Sequence, residues 1–163
     1  MTVDTKIPDA YFDWLEGAQK FFSTAHPLFS RLDMKPVLIG NGRVSVNATL
    51  IDLFEYGADN RRVHGGVLTI ILDTVFGFSV FSKLRNFQSI ATVNLKTDYI
   101  STASTGLKIR CSAQCYALCD NIAYVRGEIL EIENDTLVAS ATGAFMIGSG
   151  GPDFKRLQPG ADS

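Results

Sequence analysis

The chain has 163 residues, 46% of them hydrophobic and 20% charged, with a formal net charge of −2. That length makes one domain with a sizeable core the default, and the composition is ordinary for a soluble globular protein. The faintly acidic balance argues against general nucleic-acid binding, which needs a basic surface.

The first ten residues, MTVDTKIPDA, show no charged-then-apolar signal pattern, so secretion is not expected. The apolar spacing from Pro8 to Ala25, with Tyr11, Phe12, Trp14, Leu15, Ala18, Phe21 and Phe22, predicts an amphipathic helix. His26-Pro27 and Met34-Lys35-Pro36 punctuate the stretch after that helix. Gly40-Asn41-Gly42 is a turn signal, and Val44, Val46, Ala48 and Leu50 alternate with polar residues, so a hairpin is expected there. A polar loop from Gly57 to Val63 then feeds a long helix over about 64–84. Its most apolar run, Gly66 to Phe81, is sixteen residues long with Asp73 inside it. A membrane span needs about 20 residues, so a buried core helix is expected and no membrane association.

The rest of the chain is strand-like. Val93, Leu95, Thr97 and Tyr99 share one face of the first strand. Leu107, Ile109, Cys111, Ala113, Cys115, Ala117 and Cys119 alternate with mostly polar residues, the clearest period of two in the sequence. Asp120-Asn121 turns the chain; Ala123, Val125, Gly127 and Ile129 continue the inward face; Asn134-Asp135 turns it again. Leu137, Ala139, Ala141, Gly143 and Phe145 line the last strand, and GSGGPDFKRLQPGADS has the composition of a flexible tail. A helix apolar on nearly all sides must be wrapped. The element order therefore predicts an α+β fold in which a curved antiparallel β-sheet wraps a long central helix, with an extra N-terminal helix.

The three cysteines are an odd number and suggest no extracellular disulfide framework, so a reducing, cytoplasmic setting is expected. Their spacing of four puts neighbours roughly 13 Å apart along a strand. Zinc–sulfur bonds are only about 2.3 Å, so they cannot share a metal there. Small core filler is the expected role, and no metal site is expected.

Asp73 is the residue that demands explanation. A carboxylate in an apolar helix is costly without a partner. Thr69 and Gly77 lie four residues either side of it, and Gly66 falls near the same stripe. A stripe of small residues beside the helix's only acidic residue means that a ligand or another helix approaches closely. At the helix entrance, Gly65 and Gly66 leave the first amides bare. Those amides have no internal partner, and the dipole favours negative charge there, which is what an oxyanion hole needs. The plainer reading is that glycines let a loop turn sharply into a helix. Gly65 and Asp73 are eight residues apart, roughly 12 Å along one helix, so one reacting carbonyl cannot touch both. A catalytic reading therefore predicts a homodimer whose antiparallel helices form composite sites about a two-fold axis.

The sequence HGG from His64, the carboxylate nine residues after that histidine, and ATVNLKTDY from Ala91 resemble the hotdog-fold thioesterases, most of all the phenylacetate-degradation type of acyl-CoA thioesterase. The resemblance covers roughly residues 36–147 and implies a hotdog domain there, an N-terminal helical extension over 1–35 and a flexible tail over 148–163. It implies hydrolysis of an acyl-CoA thioester by a homodimer or dimer of dimers, with no cofactor beyond the coenzyme A of the substrate. Carried over by residue, it makes Asp73 the general base or nucleophile and Gly65 the oxyanion donor. Thr92 would orient the water, and His64 would shape the loop. Gly66, Thr69 and Gly77 would line the substrate site, with Asn60 beside it and Arg61 and Arg62 as candidates for the CoA phosphates, as are Lys83 and Arg85. The sequence departs from the pattern where relatives carry asparagine and glycine and it carries Ala58 and Arg61, and where they carry proline and it has Thr102. Two other readings stand beside this one. Asp59, five residues before His64, is spaced as in hotdog enoyl-CoA hydratases. Ala58 fits a non-catalytic acyl-CoA-binding protein.

Overall fold

The computed structural model describes residues 16–17, 20, 23–24, 27–51, 55–56, 61–85 and 88–150. Glu16, Gly17, Lys20, Ser23 and Thr24 are helical; the remainder of the expected 8–25 helix, with its aromatic residues, lies outside the described residues, as do Ala58, Asp59, Asn60 and residues 151–163 of the tail. A short helix α1 (Pro27–Arg31) leads into the hairpin of β1 (Lys35–Gly40) and β2 (Arg43–Thr49). Asn41 and Gly42 make the connection with φ of 48° and 79°, the left-handed pair that a two-residue hairpin turn requires. Two-residue strands β3 (Glu55–Tyr56) and β4 (Arg62–Val63) pair with each other, and β4 closes the stretch expected as a polar loop. Then come helix α2 (Gly65–Leu84), β5 (Ile90–Tyr99), β6 (Lys108–Cys119), β7 (Ile122–Glu131) and β8 (Leu137–Ile147).

Six strands form one antiparallel sheet in the order β1-β2-β6-β7-β8-β5, so β1 and β5 are its edges. The core lies between this sheet and α2. Val67, Leu68, Ile71, Leu72, Val75, Phe76, Phe78 and Val80 are all buried against residues such as Val46, Ile109, Val125, Ile129 and Phe145. By length and composition α2 could cross a membrane, but it is the buried core helix of this domain. Phe76 is fully buried. A Cβ at Gly127 would lie 2.6 Å from its ring, and one at Gly143 would lie 3.2 Å away. Two glycines on neighbouring strands thus form the slot into which the helix docks. This is the α+β hotdog architecture expected from the sequence.

Three expectations need correction. Val93 does not share the inward face of β5. It is the extra residue of a bulge between Thr92 and Asn94 and is 58% exposed, because a bulge reverses the alternation beyond it. Cys119 is exposed rather than core filler, since a second bulge between Cys115 and Ala117 turns the end of β6 over; Cys111 and Cys115 are buried as expected. Ile70, within the apolar run from Gly66 to Phe81 expected to be wrapped, is 43% exposed. It lies beside Asp73 on the strip that the sheet leaves uncovered.

Candidate functional site

His64 caps α2 in extended geometry, and the Gly66 amide donates to its Nδ1 at 3.0 Å. An accepting Nδ1 requires a neutral imidazole protonated on Nε2. The Val67 amide donates to the His64 carbonyl. Among the described residues none accepts from the Gly65 amide, which leaves that donor at the positive end of the helix dipole. A cavity of about 710 Å³ opens there, lined by His64, Gly65, Gly66, Leu68, Tyr99 and Thr102 among others.

Asp73 sits two turns further along, half-buried on the uncovered strip of α2. Thr92 Oγ1 donates to Asp73 Oδ1 at 2.8 Å. The bulge at Val93 makes this contact possible. With regular alternation from Leu95, residue 92 would face away from the helix; the extra residue pairs Thr92 with the inward-facing Phe145 instead. Neither Asp73 nor Thr92 lines the cavity at Gly65. The structure therefore brings Asp73 to Thr92 but keeps both apart from the open amide, as the helical rise dictates.

Of the other expected residues, Thr69 lies 2.7 Å, hydroxyl to hydroxyl, from Tyr99. Gly77 is buried, and a Cβ there would meet the Ile90 side chain at 3.5 Å. Its smallness therefore accommodates Ile90. Arg61 has a positive φ of 45°, its carbonyl accepts from the Thr105 amide at 2.8 Å, and the side chains of Arg61 and Arg62 are exposed. Lys83 and Arg85 stand at the opposite end of α2, where Lys83 packs on the Gly42 turn and Arg85 closes the helix in the left-handed region. Asn60 lies outside the described residues. Burial pushes the Cys111 thiol well above the usual thiol range. It also raises Cys115, offset in part by the Lys83 charge and by the Ala117 backbone. Tyr99 is the site residue that sequence reasoning did not single out. Its signals were an inward position at the end of β5 and the last place in the ATVNLKTDY stretch. A second depression, of about 530 Å³, lies on the far face of the sheet between Arg43, Ser45, Ser112 and Arg126, away from Asp73.

The fold and the two site elements define a hotdog domain with a helix-borne carboxylate. Residues 60–138 match the model of the thioesterase superfamily. Among solved structures, the E. coli PaaI protein of the phenylacetic acid degradation operon has a TM-score of 0.72 at 17% identity, covering 83% of this chain and 94% of that one. Zebra fish thioesterase superfamily member 2 has a TM-score of 0.71 at 17% identity, with 82% and 97% coverage. A Streptococcus mutans protein bound to acetyl CoA has a TM-score of 0.63 at 18% identity, with 70% and 87% coverage. Comparison with curated proteins finds no match. The chain carries a hotdog domain similar to those of the thioesterase superfamily.

Proposed function

We propose that the protein hydrolyses an acyl-CoA thioester to free acid and coenzyme A at a site completed by a second copy of the chain. The observation that carries this reading is the Thr92–Asp73 hydrogen bond on the uncovered strip of α2, together with an open amide on a separate part of the same helix. The edge strand β5 supplies a means of joining them. Its Val93 and Tyr99, and Ile100 just beyond, are each more than half exposed, and an unpaired edge is a template for another strand. Antiparallel pairing of β5 with β5 of a second copy, about a two-fold axis near its middle, sets Thr92 of one copy opposite Tyr99 of the other. Asp73, held by Thr92, then faces the Gly65 end of the other helix.

In this site the Gly65 amide holds the thioester carbonyl and strengthens its bond as charge develops on oxygen. Asp73 takes a proton from water while the water oxygen attacks the carbonyl carbon. The tetrahedral intermediate collapses, the carbon–sulfur bond breaks, and the thiolate recovers the proton from Asp73. Thr92 fixes one carboxylate oxygen and leaves the other to the water. Direct attack by Asp73, giving a mixed anhydride that water then opens, is the alternative course. A single turnover in ¹⁸O water distinguishes them, because opening of the anhydride at Asp73 leaves the label on the protein. The acetyl CoA held by the Streptococcus mutans protein supports a CoA ester as the ligand, and the exposed Arg61 and Arg62 beside β4 suit its phosphates. An acyl-CoA substrate and the three free thiols fit a cytoplasmic protein.

The test is free-thiol release from short, long and aryl acyl-CoAs by wild type and Asp73→Asn. Loss of a general base lowers the rate by about 10²–10⁴. Release by neither protein, with folding intact, refutes the reading; hydroxyacyl-CoA in place of free CoA would show hydration instead.

A further inference from the structure

We propose that Tyr99 is a positioning residue for the Gly65 amide, an inference that rests on the hydrolase reading above. Gly65 opens α2 with no side chain, and the space beside it is already taken. A Cβ on residue 65 would lie 2.9 Å from Tyr99 Cε1 and 3.0 Å from Cζ. The ring therefore stands where a side chain would stand, and it forms one wall of the cavity into which the amide opens. The hydroxyl extends the grip. Tyr99 and Thr69 are 2.7 Å apart, oxygen to oxygen, and Thr69 Oγ1 donates to the Gly65 carbonyl at 3.4 Å. With that proton committed, the Tyr99 hydroxyl is the donor to Thr69. At the other end of the same peptide, His64 Nδ1 takes the amide of Gly66. The peptide after Gly65 is thus held at both ends, by a phenol relay and by an imidazole, the peptide before it is held where the His64 carbonyl accepts from the Val67 amide, and the Gly65 N–H is left for a ligand.

A glycine at a helix entrance is the residue type with the most freedom to fray. An oxyanion donor, however, contributes only if its direction is set before the charge develops. Tyr99 resolves that conflict from a strand, not from the helix itself. It sits on the same inward face of β5 as Thr92, so one edge strand orients both halves of the chemistry: Thr92 the carboxylate at one end, Tyr99 the amide at the other. Tyr99 is also 54% exposed, a large aromatic surface for a residue with no other role.

The test uses ¹⁵N-labelled full-length protein and the variants Tyr99→Phe, Tyr99→Ala and Thr69→Val. In wild type the Gly65 amide is rigid, with an order parameter near 0.85; in Tyr99→Ala it falls below about 0.6. In free-thiol release from acetyl-CoA and an aryl acyl-CoA, misdirection of the donor lowers kcat of Tyr99→Ala by about thirtyfold or more, with KM within about threefold. Tyr99→Phe, which keeps the ring, and Thr69→Val each recover most of that loss but stay about threefold to tenfold below wild type. An unchanged Gly65 order parameter in Tyr99→Ala overturns the proposal, as does a kcat within twofold of wild type. If Tyr99→Ala does not fold, Tyr99→Phe and Thr69→Val decide the matter: both must slow the reaction and loosen Gly65. Wild type without thiol release, or Asp73→Asn as fast as wild type, defeats the hydrolase reading instead, and the Gly65 amide still reports on the clamp.

Discussion

Replacing Thr92 by valine removes one hydroxyl and little else. Valine keeps the β-branched shape, so β5 and its bulge at Val93 are undisturbed. What is lost is the 2.8 Å bond to Asp73 Oδ1. A hydrogen bond to a charged group contributes about 1.5–3 kcal/mol. Thr92 is exposed, so solvent competes, and about 1 kcal/mol is the reasonable share. At 1.36 kcal/mol per factor of ten, kcat for thioester hydrolysis falls about fivefold to tenfold. KM stays near the wild-type value, because the hydroxyl holds the base and not the ester. Thr92→Ser restores the hydroxyl and recovers most of the rate. The assay is free-thiol release under saturating acyl-CoA, with Asp73→Asn measured alongside as the far larger loss. Thr92→Val at the wild-type kcat, or Thr92→Ser as slow as Thr92→Val, would refute the argument that this bond orients the working carboxylate.

Two other outcomes are expected from the packing. In Gly127→Ala the new methyl meets the Ser112 carbonyl oxygen and the Phe76 ring, and neither backbone nor buried ring can retreat. Overpacking of this kind costs about 1–3 kcal/mol, which at this size lowers Tm by roughly 2–12 °C; calorimetry that finds no change would show that the glycine slot does not seat Phe76. The cysteines divide by burial. In the native protein a thiol reagent modifies Cys119 and spares Cys111 and Cys115, whereas all three react in denaturant. Cys111 keeps its proton in the fold, so stability is intact below the unfolded thiol value of about 8.5. Above that pH the unfolded chain releases the proton and the folded chain does not, so stability declines by up to about 1.4 kcal/mol per pH unit. Denaturant titrations from pH 8 to 10.5 in Cys111→Ala should show a shallower decline than wild type, and equal slopes would contradict the assignment.

Elements that depend on local pattern are legible in the amino-acid order alone. Asn41-Gly42 and Asn134-Asp135 mark hairpin turns because few residues tolerate positive φ. The alternation from Leu107 to Cys115 shows which face of β6 is buried, and the long apolar run after His64, with Asp73 inside it, requires a helix wrapped on all but one strip. The His64-Gly65-Gly66 sequence, with Asp73 nine residues after the histidine, points to the carboxylate and the bare amides without any geometry. Features that depend on the register between distant segments emerge only in the folded molecule. The bulge at Val93 turns Thr92 inward, and the bulge before Ala117 turns Cys119 outward; each extra residue is visible only against its partner strand. The gap that seats Phe76 exists because Gly127 and Gly143 come diagonally together on two neighbouring strands. Tyr99 meets Gly65 only because β5 crosses to the far edge of the sheet and lies along α2. Periodicity assigns a residue to a face, but the identity of the atom across from it is set by how segments far apart in the chain align.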